Sequence, residues 1–83
     1  MPRRSIIREH LFEDSLAALN PDPERADAYV GAAEFVLSAD PLLGTLLRND
    51  VWMLPMSPVR DCEVWLYYSF DEESVHFLAI AAP

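Results

Sequence analysis

Residues 63–70 alternate between apolar and mixed side chains, and this alternation constrains the fold more than any other feature of the sequence. Period two is the period of a β-strand, in which successive side chains lie on opposite faces. A polar stretch, 71–74, joins this segment to the apolar stretch 75–81, so the two predict a β-hairpin. Because residues 75–81 are apolar on both sides, we expect the second strand to lie inside a sheet. The alternating apolar set is Val64, Leu66, Tyr68 and Phe70.

The N-terminal half carries two helical patterns. Apolar residues within 11–19 fall on one helical stripe, at i, i+4 and i+7. Asp22-Pro23-Glu24 then has the signature of a helix start, with an N-cap, a proline at the first helical position and an acid near the positive end of the helix dipole. Apolar residues recur at helical spacing over 26–37, and Pro41 ends this helix just before it. Gly44 then allows a turn, and the short connection between the helices predicts an antiparallel helical hairpin.

A third strand is predicted over 51–56, which is apolar and rich in large side chains. Pro55 and Pro58 have no N–H donor, so this strand should end just before Pro55 or have an edge or a bulge there. The sequence therefore predicts an α+β fold in which an N-terminal helical hairpin packs on a three- to four-stranded antiparallel sheet. A chain of this size has apolar surface for one core, so residues 1–83 are expected to form a single domain. Residues 1–8 are expected to be a short strand or a flexible arm.

The charge of the chain limits its partners. Six arginines, no lysine and fourteen acids give a net charge of −8. Such a surface repels phosphate and argues against direct nucleic-acid binding, whose unspecific affinity comes from neutralising phosphates. Arg3, Arg4 and Arg8 precede every acid, so a basic patch is expected only at the N-terminus. The alternative is a disordered basic end that only improves solubility.

The cysteine and histidine positions exclude several kinds of site. Cys62, His10 and His76 are isolated from one another, so we expect no metal site and no cofactor. A nucleophilic pair of Cys62 and His76 is disfavoured because Asp61 and Glu63 flank the thiol and would raise its pKa. The apolar runs are too short for a membrane span or a signal peptide, and a single cysteine fits a reducing compartment. The expected location is the cytoplasm.

The order of a short strand, a helical hairpin and three antiparallel strands resembles the RelE/ParE toxin superfamily of bacterial type II toxin–antitoxin pairs. The resemblance rests on Asp40-Pro41-Leu42-Leu43-Gly44, the strand over 51–56, Leu66-Tyr67-Tyr68-Ser69-Phe70 and the closing strand over 75–80. It implies the superfamily fold and a toxin held inactive by an antitoxin wrapped around it. Members of that superfamily cleave mRNA on the ribosome or poison DNA gyrase.

The sequence departs from the ribonuclease branch of that superfamily. Those members are strongly basic, whereas this chain has no lysine. Trp65 or Leu66 stands where an arginine usually precedes the paired tyrosines, and Ala81-Ala82-Pro83 replaces the common histidine–arginine tail. The acidic charge therefore favours a protein target over RNA.

Four residues are candidates for RNA cleavage, which needs groups that move protons and groups that offset charge on the phosphate. They are Arg48, Arg60, Tyr67 and His76. Each has a structural alternative. The two arginines stand near aspartates and would be solvated loop residues. Tyr67 would be a half-buried residue that only packs against its neighbours, and His76 would pair with a residue across the hairpin.

The aromatic residues Trp52, Trp65 and Tyr67 are predicted to form an interface with a protein, although exposed aromatics can also stack on bases. Three hypotheses follow. The first is a RelE/ParE-like toxin, or a diverged relative, that acts through a protein partner and is bound by an antitoxin. The second is a ribosome-dependent mRNA endoribonuclease. The third is a catalytically inactive binding or regulatory domain of the same fold. The oligomeric state is left open.

Overall fold

Five strands and two helices form the part of the chain that the structure, a computed structural model, describes: residues 3–19, 23–59 and 62–81. A 3-10 turn, Pro41–Leu43, connects the second helix to the second strand. The helices are α1 (His10–Leu19) and α2 (Pro23–Ala39), and the strands are β1 (Ser5–Arg8), β2 (Thr45–Arg48), β3 (Val51–Val59), β4 (Cys62–Phe70) and β5 (Ser74–Ala81).

Both helices lie where the apolar spacing predicts them. Helix α2 begins at Pro23, the predicted first helical position, and ends at Ala39, just before Pro41. The predicted N-cap, Asp22, lies outside the described residues. Asp40 caps the 3-10 turn that follows α2, because its Oδ1 accepts a hydrogen bond from the amide of Leu42 at 3.1 Å. The 3.6-residue spacing of the apolar residues was therefore sufficient to locate both helices.

The sheet has the order β1-β5-β4-β3-β2. Strand β5 lies between β1 and β4, which confirms the interior position predicted from its apolar character. The predicted three- to four-stranded antiparallel sheet is nevertheless too small, because β1 pairs with β5 in parallel and β2 adds a fifth strand. The α+β class is confirmed, with a mixed sheet in place of an antiparallel one.

Strand β3 continues past Pro55, so the predicted end of this strand just before Pro55 is wrong. Strand β2 pairs with β3 only as far as Met53, so Pro55 has the strand partner Trp65 on β4 and none on the β2 side within the described residues. A proline is tolerated there because its missing N–H removes no bond to β2. Of the predicted alternatives at Pro55, namely a strand end, an edge or a bulge, the structure has the edge.

The core lies between the helices and one face of the sheet. Helix α1 packs on β5, and the rings of Phe12 and Phe77 lie 5.3 Å apart between centroids at 59°. Partly buried side chains, including those of Ile6 and Met56, extend the core toward the sheet edges. Burying an aliphatic or aromatic side chain contributes about 1.5–3 kcal/mol. The buried apolar set is Phe12, Leu16, Val30, Ala33, Leu37, Val64, Leu66, Tyr68, Val75, Phe77 and Ile80.

Tyr68 fastens the 3-10 turn to the centre of the sheet. Its hydroxyl donates to the carbonyl oxygen of Pro41 at 2.6 Å and accepts from the amide of Gly44 at 3.0 Å. A Cβ at Gly44 would lie 2.7 Å from the carbonyl oxygen of Met53 and closer still to the tyrosine hydroxyl. Gly44 has φ −78°, so this glycine is required by close packing and not by the turn conformation that the sequence suggested.

The N-terminal arginines bind other parts of the fold, which corrects the expectation of a disordered end. Arg3, Arg4 and Arg8 do not form a disordered end, because each binds another part of the fold. Together they attach β1 and the residues before it to α2 and to the β4–β5 turn. Arg3 donates to the Phe35 carbonyl at 3.0 Å and stacks on its ring, Arg4 donates to the Asp71 carbonyl at 2.7 Å, and Arg8 forms an ion pair with Glu34.

Candidate functional site

The sheet has one face that the helices cover and one that they leave open. Side chains on β4 and β5 that alternate with the buried set lie on the second face, which we call the open face. Register places Ile7, His76 and Ser69 in one row across β1, β5 and β4. Tyr67 pairs with Met53 on β3. The open-face side chains of Trp65, Tyr67, Ser69 and His76 are all partly exposed.

The structure places two of the four predicted catalytic residues on adjacent strands. Tyr67 and His76 lie on adjacent strands of the open face, since the partner of His76 is Ser69 and Tyr67 is two residues from it. Arg48 pairs with Val51 at the far edge, three strand spacings or roughly 14 Å from β5 across the sheet. Arg60 lies outside the described residues. The arginine and histidine candidates that can be located therefore do not form one compact site.

Two carboxylates hold the His76 ring. Its Nδ1 lies 3.0 Å from Oε1 of Glu9, and its Nε2 lies 3.8 Å from Oδ2 of Asp71. Sequence reasoning expected a partner across the hairpin and missed Glu9, which follows β1. The parallel pairing of β1 with β5 places Glu9 there, and its amide donates to the carbonyl of Phe77 at 3.0 Å. With acids on both sides, this imidazole is poorly placed to offset charge on a phosphate.

Asp71 organises the turn between β4 and β5. Its Oδ1 accepts hydrogen bonds from the amides of Glu73 at 2.8 Å and Ser74 at 2.7 Å. These amide bonds lower the pKa of the Asp71 carboxyl, and the nearby His76 and Arg4 lower it further. Asp71 therefore stays ionised beside the histidine, and the exposed turn 71–73 carries three acidic residues at this end of the open face.

The three predicted interface aromatics lie on two different faces. Trp52 pairs with Tyr68 and so lies on the helix side, where its ring stacks on Tyr68 at 6.4 Å and meets Phe70 at 5.3 Å between centroids. Trp65 and Tyr67 lie on the open face, half-buried. The three residues therefore do not share one face, and each remains a predicted contact on its own face.

Four exposed leucines stand on β2 and in the 3-10 turn before it, a feature that the sequence reasoning missed. We call it the leucine edge, and its members are 49–64% exposed. Single exposed leucines are ordinary, and Leu46 lies on the helix side of the sheet because it pairs with Trp52. Two leucine doublets within six residues were the available signal, yet their spacing equally fits a buried helical stripe. The leucine edge consists of Leu42, Leu43, Leu46 and Leu47.

Comparison with known proteins identifies the fold. No family model and no curated protein matches the sequence. Among solved structures, a chain from the toxin–antitoxin complex RelBE2 of Mycobacterium tuberculosis matches with a TM-score of 0.74. The match covers 100% of both chains at 22% sequence identity. The fold is RelE-like. The resemblance drawn from the sequence is thus confirmed at the level of the fold.

The RelE-like domain offers no metal site within residues 3–19, 23–59 and 62–81, where no three histidine, cysteine or acidic side chains are grouped as ligands. None of the helices described is long and apolar enough to cross a membrane.

Proposed function

We propose that this chain is the toxin component of a type II toxin–antitoxin pair, or a diverged relative of one, that is bound by an antitoxin and acts through a protein partner. The observation that carries the proposal is the full-length match to a chain of a toxin–antitoxin complex. The leucine edge is consistent with it, because its four leucines, 49–64% exposed, are available for contact with a partner.

The charge distribution favours a protein target over RNA. The net charge is −8, and Arg3, Arg4 and Arg8 make contacts within the domain. Arg8 is paired with Glu34, so the charge of that guanidinium is already offset by an acid of the same chain. The open-face histidine lies between Glu9 and Asp71, which repel an RNA backbone. These features support recognition of a protein surface that carries basic or apolar groups.

Growth of a bacterial host after induced expression tests this proposal. We expect growth to stop when the chain is expressed alone and to resume when the product of the adjacent open reading frame is co-expressed. Normal growth at high expression would contradict a toxin. A stable complex with the adjacent product in the absence of toxicity would instead support the inactive binding or regulatory domain.

A ribosome-dependent endoribonuclease is the second candidate, because Tyr67 and His76 share the open face and Arg48 lies at its far edge. On this hypothesis the histidine moves a proton and the arginines offset charge on the phosphate. His76→Ala, Tyr67→Phe, Arg48→Ala and Arg60→Ala should then each reduce mRNA cleavage by about tenfold or more. Unchanged toxicity in all four variants would remove this candidate.

A further inference from the structure

Helix α2 is apolar on its outer side as well as on its buried side. Val30, Ala33 and Leu37 belong to the buried core. Of the α2 residues whose burial the structure describes, 28 and 30–39, every exposed one is apolar or is glycine. A helix that is apolar all round is normally covered on both sides. We call the exposed set the outer face of α2, and it consists of Ala28, Gly31, Ala32, Phe35, Val36 and Ala39.

Nothing in the described part of the chain requires the glycine at position 31. Glycine in the interior of a helix makes the helix less stable than alanine does. A Cβ at Gly31 would have no atom within 4 Å, so the space beside this position is open. What a glycine permits at an exposed helical position is the close approach of a group from outside the chain. Gly31 is therefore a hole in the outer face.

Phe35 is the complementary projection. It follows Gly31 by one helical turn and so lies on the same side of α2. The guanidinium of Arg3 stacks on the Phe35 ring at 4.4 Å from its centroid and donates to the Phe35 carbonyl at 3.0 Å. Phe35 nevertheless stays 65% exposed, so most of this residue is available for contact. The outer face thus carries a projecting ring and an open position one turn apart.

A projection and a hole on the same helix face are complementary to a second copy of that face. A two-fold symmetric interface needs this self-complementarity, because residue i contacts residue j of the other copy and j contacts i. When two α2 helices pair antiparallel about a two-fold axis at the level of residue 33, Phe35 of each copy lies against Gly31 of the other. One helix face therefore supplies both halves of the contact.

Charge selects the antiparallel arrangement. Within residues 28–39 the outer face has no charged member, and Glu34 on the flank of α2 is paired with Arg8, so the net charge of −8 is carried elsewhere. A parallel pair would place the two Arg3 guanidinium groups side by side. An antiparallel pair places each of them toward the N-terminal half of the other helix, where the sequence has two acids and one arginine within 24–27.

We propose that two copies of the chain form a symmetric dimer through the outer face of α2, with Phe35 of each copy packed on Gly31 of the other. A single helix pair is a small interface, so we expect a weak dimer with a dissociation constant of about 10–100 µM. The inference goes beyond the proposed function and does not depend on it, because the occupant of the outer face is the chain itself.

Sedimentation velocity of the purified chain, over concentrations up to about 1 mM, tests the proposal. The salt concentration should be about 0.15 M, which screens the repulsion between the two acidic copies beyond roughly 8 Å. Phe35→Ala removes the projection and Gly31→Leu fills the hole, and each should raise the dissociation constant by about tenfold or more. Leu11→Ala is the matched control, because Leu11 is 66% exposed on α1, outside the outer face, and it should change the constant by less than about twofold.

Two variants on opposite sides of the contact keep the test independent of folding. Phe35→Ala also removes the ring on which Arg3 stacks, whereas position 31 is open and Gly31→Leu leaves that contact in place. Thermal unfolding of dilute samples checks that each variant remains folded.

A dimer that is lost in Phe35→Ala and Gly31→Leu and kept in Leu11→Ala is the expected result. A wild-type chain that stays monomeric up to about 1 mM would overturn the proposal, and so would a dimer that both α2 variants leave unchanged. A monomeric wild type whose binding to the product of the adjacent open reading frame is weakened by Phe35→Ala would overturn it in favour of a heterologous helix. Each of these outcomes leaves the toxin function to be decided by the growth test alone.

Discussion

At the scale of single residues, Tyr68 shows what the sequence could and could not predict. Its place in the alternation of β4 predicted a core side chain, and it is fully buried. Its hydroxyl contacts with Pro41 and Gly44 could not be predicted, because these residues are 27 and 24 positions away. The same applies to Glu9 and His76, which are 67 positions apart and meet only because β1 pairs with β5. Periodicity gives the face of a side chain but not its polar partners.

The two glycines should respond to alanine with opposite signs. Gly44→Ala should destabilise the fold by about 1–3 kcal/mol, since the new methyl group meets the Tyr68 hydroxyl and the Met53 carbonyl. Gly31→Ala is the matched control. Gly31 lies within α2 with nothing within 4 Å of a Cβ, so alanine should stabilise by about 0.5–1 kcal/mol. Urea unfolding of both variants measures the difference, and equal effects would contradict the packing at Gly44.

Tyr68 should lose its proton at a higher pH than an ordinary tyrosine does. Burial raises the pKa of its hydroxyl above 10.0, Asp40 raises it further, and the amide of Gly44 partly opposes the shift. A raised pKa means that this contribution to stability is present below pH 10.0 and is lost as the pH rises through the higher folded value. The difference between the ultraviolet pH titrations of the wild type and of Tyr68→Phe reports the ionisation of the Tyr68 hydroxyl. A Tyr68 titration at or below pH 10.0 would show that the hydroxyl is not buried as described.

At the scale of elements, the hairpin of β2 and β3 explains why the predicted sheet was too small. Two residues, Asn49 and Asp50, connect the strands, and both have positive φ, at 46° and 66°. Two-residue hairpin turns of the I′ type require this conformation and favour Asn-Gly. With aspartate in place of glycine, the turn signal was too weak to separate β2 from a loop. Helices α1 and α2 and strands β4 and β5 have longer periodic patterns and were predicted.

Asp50→Gly should stabilise this hairpin. Glycine adopts positive φ without the steric cost that a Cβ carries, so we expect a gain of about 0.5–1 kcal/mol in the free energy of unfolding. Asp50→Val should lose stability instead, because a β-branched residue is strained at positive φ. The midpoints of urea unfolding check both. A stabilising valine would mean that this turn does not have the described conformation.

Asp71 should make the second hairpin sensitive to acid. Its pKa is lowered from 3.8 by the amides of Glu73 and Ser74, so its contribution is present above pH 3.8 and is lost as the pH falls through the folded value. The stability difference between the wild type and Asp71→Asn should therefore shrink between a pH of about 6 and a pH of about 2.5. Glu72→Gln removes a charge from the neighbouring exposed position as a control. A difference that stays constant with pH would contradict the amide-bonded carboxylate.

At the scale of the whole molecule, the fold is RelE-like and the net charge is −8. The acidic total was visible in the sequence, but the use of Arg3, Arg4 and Arg8 as internal contacts was not. The face of Trp52 depended on its register with Tyr68, and a slip of one residue reverses the face of every side chain in a strand. Pattern alone therefore predicted the layers of the molecule, whereas the surfaces that can bind required the three-dimensional pairing.

The state of cellular mRNA during induced expression tests the central claim most directly, namely that this RelE-like chain is a toxin that acts through protein contact. We expect growth to stop while messages stay full length, and we expect His76→Ala to arrest growth as strongly as the wild type. Messages that are cleaved when the wild type is expressed and intact when His76→Ala is expressed would contradict the claim in favour of a ribonuclease. Uninterrupted growth would contradict a toxin of either kind.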